Sequence, residues 1–326
     1  MKKILFLILV LFSLTGCNSY TELNDLSIVN TLGIDYKDNK YYLTLSVIED
    51  DLENDKSIAY FSSSEEDLNE AIKDIYLTSN KKLYLSHIDL LILTPNSINK
   101  KLDEILDNFL KNNEYRNNFQ VVLMDDNDLY TFFEKGLDSQ AINSLIDINS
   151  IETSITSKKE LEIFLKEILI DNNSYLPTIS FLDDKLELSG YTLIKDKTIY
   201  KELSNNDSII LNILSKKANK AYIEDITIYE NDIRITSNKN KIKFEIYITS
   251  DTDDEQKIEN LKKAFYNFIE EYQKIKYDIL KLKELIRKND YSYYKRHKEL
   301  LTDLNFDIKI INKKQNNFIN GGLNEK

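Results

Sequence analysis

The chain has a single cysteine, Cys17, which lies just after a short apolar segment at the start of the sequence. Lys2 and Lys3 precede this segment, Ile4–Leu14, which contains one serine and is otherwise apolar. A membrane-spanning helix needs about 20 apolar residues, so the segment is too short to span and is typical of a signal peptide. We therefore predict that residues 1–16 form an export signal that is removed.

The last residues of this segment have the form of a bacterial lipobox, Leu14-Thr15-Gly16-Cys17. Lipidation needs a free thiol at the membrane surface, and the signal peptidase needs a small residue just before it. The alternative is a plain secretory signal that contains a cysteine by chance, and we favour the lipobox because the cysteine is unique. Two acyl chains, at about 0.8 kcal/mol per buried methylene, anchor a protein stably. We expect lipidated Cys17 to hold the mature protein on the outer leaflet of a membrane.

Committing Cys17 to a lipid leaves no cysteine for a disulfide, so burial of apolar side chains must stabilise the fold. Hydrophobic residues make up 42% of the chain, including 21 tyrosines and 14 phenylalanines, and can supply this core. The net charge of −12 argues against a nucleic-acid partner. Gly33, Gly136 and Gly190 are the glycines of the chain body, too widely spaced for phosphate-binding loops or a Gly-x-Ser-x-Gly nucleophile motif.

Hydrophobic periodicity predicts a chain of the α+β class. Strands are predicted at Leu26–Asp35, Tyr41–Asp50, Lys82–Leu93 and Phe119–Met124, and helices at Ser64–Thr78, Ser97–Asn112, Asn127–Lys135 and Lys158–Ile170. From Leu176 the pattern is rich in short strands, with one capped helix at Ser204–Ser215. We expect separate mixed or antiparallel sheets, each covered by helices. The expected domains are 17–175, which can divide into two subdomains, and 176–326.

A heptad pattern of nine apolar residues runs from Ile258 to Ile286. It suits a coiled coil. It also suits one long helix that packs on the C-terminal sheet, which we favour because the strands predicted on both sides, Lys241–Thr249 and Phe306–Ile311, need a cover. A helix buried in this way predicts a monomeric soluble part.

Several short motifs follow one another along the mature chain. They are Glu22-Leu23-Asn24-Asp25-Leu26-Ser27-Ile28-Val29, Leu32-Gly33-Ile34-Asp35, Leu83–His87 with Leu90–Leu93, Ile105–Arg116 before Val121-Val122-Leu123, Leu188–Lys195, and Tyr277-Asp278-Ile279-Leu280. In this order they resemble the Ger(x)C family, the C-subunit lipoproteins of spore germinant receptors. The chain departs from the family pattern at Asn18-Ser19-Tyr20 and at Lys281-Leu282-Lys283.

This resemblance implies α/β modules outside the spore inner membrane, working beside two integral-membrane A and B subunits. It implies no catalytic residues and no cofactor, and it leaves the ligand-binding residues unknown. The alternatives are a lipid-anchored solute-binding protein of a transporter and a cell-envelope scaffold that uses the heptad helix.

Candidate metal or catalytic residues are few. His87 and His297 are the only histidines, and a zinc site needs three or four ligands. We expect His87 to be a structural residue within a strand and His297 to lie at the surface. The acidic runs Asp125–Asp128 and Asp251–Glu255 lack the EF-hand pattern, and each precedes a predicted helix. Capping of those helices is therefore favoured over calcium binding.

Overall fold

The computed structural model describes residues 25–49, 57–297 and 300–314. The predicted signal peptide, Cys17 and residues 50–56 lie outside the described residues. Within the described part, no helix is long and apolar enough to cross a membrane.

A nine-stranded mixed sheet, here called the large sheet, occupies the first two thirds of the chain. Its strands are β1 (Leu26–Lys37), β2 (Lys40–Glu49), β3 (Ser57–Glu65), β4 (Lys82–Tyr84), β5 (Leu90–Leu93), β6 (Gln120–Met124), β7 (Ser174–Leu182), β8 (Lys185–Lys195) and β9 (Thr198–Glu202). Their order is β3-β2-β1-β5-β6-β7-β8-β9, and β4 pairs with the start of β1. Strands β1, β5, β6 and β7 are parallel, and antiparallel pairs extend the sheet on both sides.

Helices cover both faces of the large sheet, because its central strands are apolar on both sides. In the described part of the chain, these helices are α1 (Leu68–Thr78), α2 (Pro95–Lys111), α3 (Asp126–Glu134), α4 (Ser139–Glu152) and α5 (Leu161–Asp171). Helices α1, α2 and α5 share one core with the sheet, and α3 and α4 share another core on the opposite face. Gly33 of β1 lets α3 approach closely, since a Cβ there would lie 2.7 Å from the ring of Phe133.

A second sheet, here called the small sheet, is built by the C-terminal third of the chain. Its order is β10 (Ala221–Ile223), β11 (Ile226–Asn238), β12 (Lys241–Ser250) and β13 (Asn305–Lys314), and the β12–β13 pair is parallel. The remaining helices are α6 (Asn205–Leu214), α7 (Glu255–Lys274), α8 (Leu282–Asn289) and α9 (Tyr291–Arg296). Every second residue of β12 is buried, the pattern of a strand with one covered face.

The long helix α7 covers this sheet. Its residues Leu261, Phe265 and Phe268 are buried in the same core as Phe244 and Ile246 of β12. This confirms the predicted α+β class with helix-covered sheets and a long C-terminal helix packed on a sheet. The predicted continuity of the heptad run is wrong, because α7 ends at Lys274 and the last apolar positions belong to a turn and to α8.

Two predicted helix caps are also wrong, and one helix was missed. Ser64 lies in β3, a strand that the sequence pattern did not reveal, and α1 begins after Asp67, which caps it. The helix α4 was not predicted. Thr94 caps α2, and Ser97, the predicted cap, completes a capping box with it.

The predicted domain limit at 175/176 falls inside β7, and strands β7–β9 continue the large sheet. The division into domains stays a prediction.

Candidate functional site

The candidate residues taken from the sequence are dispersed in the structure. His87 is exposed in a short 3-10 turn, Leu85–His87, and not within a strand as predicted. His297 is half-buried and stacks on the ring of Tyr293, with 3.8 Å between the ring centroids. Among the residues that the structure describes, no three His, Cys, Asp or Glu side chains are placed to hold a metal ion.

The two acidic runs cap helices, as predicted. Asp125 Oδ1 accepts a hydrogen bond from the Asn127 amide at the start of α3, and Asp254 Oδ1 accepts one from Gln256 at the start of α7. Another residue of the first run makes a hydrogen bond elsewhere in the fold. Asp128 Oδ2 accepts a hydrogen bond from the backbone amide of Phe181 on β7.

The most unusual set of side chains lies where the large sheet meets the C-terminal third of the chain. Helix α6 is enclosed there, and all its residues from Ser208 to Leu214 are buried. A helix that is apolar on nearly all sides must be covered on all sides. Strand β8 of the large sheet and strand β11 of the small sheet both contact it.

One polar residue of α6, Asn212, is hydrogen-bonded on both sides of its amide. Its Oδ1 accepts from the Tyr191 hydroxyl at 2.8 Å, and its Nδ2 donates to the Ser154 carbonyl at 2.8 Å. The Tyr191 hydroxyl is also 2.8 Å from Ser157 Oγ. Buried polar groups must be paired to be tolerated, and these are. The network joins α6, β8 and the segment before α5.

An ion pair is buried beside this network. Lys159 is 1% exposed, and its Nζ lies 2.5 Å from Glu167 Oε2 on α5. Ser174 Oγ on β7 donates to the same carboxylate oxygen at 2.6 Å. The Lys159 ammonium also lies 4.2 Å from the ring centroid of Tyr175, a cation–π geometry. Among the described residues, the ammonium and the carboxylate of this pair thus both have polar partners.

The surroundings shift both pKa values of the pair. Burial lowers the pKa of Lys159 to about 8, against the opposing effect of Glu167. Burial alone would raise the pKa of Glu167, but the positive charges of Lys159 and Lys281 and two hydrogen bonds outweigh it, so that pKa is lowered. The pair is therefore ionised at neutral pH.

The turn between α7 and α8 connects to the same place. The Tyr277 hydroxyl donates to the Ser174 carbonyl at 2.5 Å, and burial raises the pKa of Tyr277. Lys281 Nζ pairs with Asp171 of α5 at 2.9 Å. The half-buried carboxylate of Asp278 accepts hydrogen bonds from the backbone amides of Leu282 and Lys283, the first two residues of α8.

We call this set the polar junction; it comprises Ser157, Lys159, Glu167, Ser174, Tyr175, Tyr191, Asn212, Tyr277 and Asp278. Two motifs of the family resemblance meet in it, Leu188–Lys195 through Tyr191 and Tyr277–Leu280 through Tyr277 and Asp278. The polar groups of the junction bind one another. The junction therefore has a structural role, and it holds the C-terminal third against the large sheet. Lys159 and Glu167 carried no sequence signal, because they lie in a segment rich in charged residues.

The fold and the junction define an α+β protein whose helix-covered sheets are joined through a buried polar contact. A family model described as the spore germination protein N-terminal domain matches residues 19–181. The chain therefore belongs to this family of spore germination proteins, and the resemblance drawn from the sequence motifs is confirmed.

One solved structure has a similar fold. The crystal structure of the GerBC protein aligns with a TM-score of 0.50 and 15% identity, covering 90% of this chain and 100% of that chain. At this identity the similarity concerns the fold. No curated protein matches the chain.

Proposed function

We propose that this chain is a lipid-anchored, non-enzymatic subunit of a spore germinant receptor. Cys17 anchors it to the outer leaflet of the spore inner membrane, where it works beside the integral-membrane A and B subunits. The observation that carries the proposal is the family match, which begins at residue 19, two residues after the lipobox cysteine.

Two further observations support the receptor role, one against a catalytic role and one against a transporter's solute-binding protein. The most elaborate buried polar cluster has its hydrogen bonds and ion pair satisfied internally, so it offers no free nucleophile or base. The antiparallel pairs that flank the parallel strands also differ from the two parallel-stranded lobes of the alternative, a transporter's solute-binding protein.

The anchor is tested by replacing Cys17 with Ala in the full chain expressed in its spore-forming host. We expect the variant to lose acyl labelling and to leave the membrane fraction, because two acyl chains supply the stable attachment. Ser19→Ala is the matched control, since it lies beside the lipobox and keeps the thiol. A Cys17→Ala protein that stays membrane-bound after a high-salt wash would contradict the lipid anchor.

The receptor role is tested in spores that lack this protein. We expect them to respond poorly to the nutrients that trigger wild-type spores, and the wild-type chain to restore the response. Cross-linking in spore membranes should capture two multi-span membrane proteins with the chain. Normal germination without the protein would reject the proposed role, whatever the state of Cys17.

A further inference from the structure

A cleft of about 760 Å³ lies at one end of the large sheet, between strands β1–β3 and helix α3. The parallel strands β1, β5 and β6 end at the same edge of the sheet, and the end of β1 lines the cleft. Asp35 lies near the end of β1, and Asp126 follows β6 and begins α3. Ligands of α/β sheets bind beyond the carboxyl ends of the strands, so the cleft is in the expected place for a binding site.

The lining of the cleft combines negative charge with aromatic rings. It contains five carboxylates and one lysine among the described residues, namely Asp35, Glu65, Asp74, Asp126, Glu134 and Lys37. Tyr42, Tyr60, Tyr130 and Phe133 supply the rings. Carboxylates and aromatic faces both attract cations, and the net charge of the chain adds to this attraction.

Asp35 is the residue that points most directly to a ligand. It is 5% exposed, yet the described residues give it a single hydrogen bond, from Thr94 Oγ1 to Oδ1 at 2.5 Å, and no ion pair. A carboxyl group can accept about four hydrogen bonds, so this side chain keeps acceptor positions for a ligand in the cleft. An ammonium group in the cleft would donate to them.

Lys37 already places an ammonium group against the lining of the cleft. Its ammonium lies 4.9 Å from the ring centroid of Tyr42, within the distance of a cation–π contact. Tyr130 stands at the rim with 69% of its surface exposed, which leaves a ring face open to a ligand. A metal ion fits less well, because the described carboxylates do not form a group of three around one point.

We propose that this cleft binds a small organic cation. Its ammonium group is held by Asp35 and by the face of Tyr42, in the place that Lys37 partly fills, and its carbon chain lies against Tyr130 and Phe133. Binding displaces the Lys37 ammonium from Tyr42, so this lysine competes with the ligand. The site is independent of the polar junction and of the lipid anchor.

The test uses the detergent-solubilised full chain and 1,4-diaminobutane as the probe, with uncharged 1,4-butanediol and sodium chloride of equal ionic strength as controls. Calorimetry should show saturable binding of the diamine with a Kd of about 1 mM or tighter, and neither control should bind in this way. Bound diamine should also raise the melting temperature.

Three variants separate a specific site from general attraction. Asp35→Asn keeps an oxygen for Thr94 but removes the charge, and it should weaken diamine binding at least about tenfold without lowering the melting temperature of the free protein. Lys37→Met should instead strengthen binding, because it removes the competing ammonium. Asp107→Asn, in an exposed position on α2, is the matched control and should leave binding unchanged.

Four results would overturn the proposal. They are no saturable binding by the wild type, equal binding of the uncharged diol, unchanged affinity in Asp35→Asn, and weaker binding in Lys37→Met. Because the readout is the binding itself, failure here leaves the membrane anchor and the receptor role untouched.

Discussion

Lys159 is a charged lysine that is almost fully buried, and its charge must be stabilised by the surrounding residues. Taking an ammonium and a carboxylate out of water costs several kcal/mol for each ion, and their attraction repays this only with good geometry and further hydrogen bonds. The structure provides both, through Glu167, Ser174 and the face of Tyr175.

Removing one member of this pair should therefore cost more than removing both. We expect Lys159→Met to lower the free energy of unfolding by about 3–5 kcal/mol, because it leaves the Glu167 charge buried without its main partner. The double variant Lys159→Met/Glu167→Gln should lie within about 2 kcal/mol of wild type, since Gln still accepts from Ser174. Urea unfolding followed by circular dichroism measures both, with Glu167→Gln completing the cycle. Additive losses would show that the pair is not coupled.

Single residues also show where sequence reasoning stops. Gly190 lies in the part of the chain that was predicted to be rich in short strands, but the sequence did not show why a glycine is needed there. Its φ is +75°, and a Cβ there would clash with Ser208 of the enclosed helix α6. The polar residues of the junction were equally hidden, because their partners are distant in sequence, such as Tyr277 and Ser174.

At the scale of elements, periodic patterns predicted most helices and strands, and the errors have physical causes. The heptad pattern continues past Lys274, yet α7 ends there with Lys276 in the left-handed region at φ +56°. Burial of Tyr277 and capping of α8 by Asp278 outweigh local helix preference. Strand β3, with its run of serines, has no apolar alternation to reveal it, and its pairing with β2 decides its conformation.

The contact of α7 with the small sheet gives a prediction at this scale. Phe268 is 2% exposed and packs in the core shared by α7 and the small sheet. We expect Phe268→Ala to lower the free energy of unfolding by about 3–5 kcal/mol, the range for a core phenylalanine, and to leave the protein monomeric. Asn267→Ala, exposed on the same helix, is the control and should have little effect.

Sedimentation and urea unfolding of these two variants distinguish the sheet-packed helix from a coiled coil. In a coiled coil, Phe268 would lie between two chains. A stable wild-type dimer that Phe268→Ala converts into a folded monomer would therefore contradict the sheet-packed arrangement.

At the scale of the whole molecule, the main feature is a hydrophobic core that contains residues of both sheets. Tyr175 and Leu193 of the large sheet belong to the same buried cluster as Phe244 and Phe268 of the C-terminal third. The sequence predicted separate helix-covered sheets, and the structure has them. The sequence pattern could not predict this shared core, because the core depends on α6 lying between β8 and β11.

A shared core predicts that the two sheets unfold together. In Phe268→Ala, hydrogen exchange should therefore speed up by the same factor in two distant places, the central strand β6 and strand β12, although Phe268 packs near the second alone. The reason is that amides in both strands exchange through the same global opening, whose free energy the substitution lowers. Mass spectrometry of peptides from Gln120–Met124 and Lys241–Ser250 measures both factors, with Asn267→Ala as the control that should change neither. Faster exchange confined to β12 would instead show two independent domains, and it would favour a domain limit that separates the sheets.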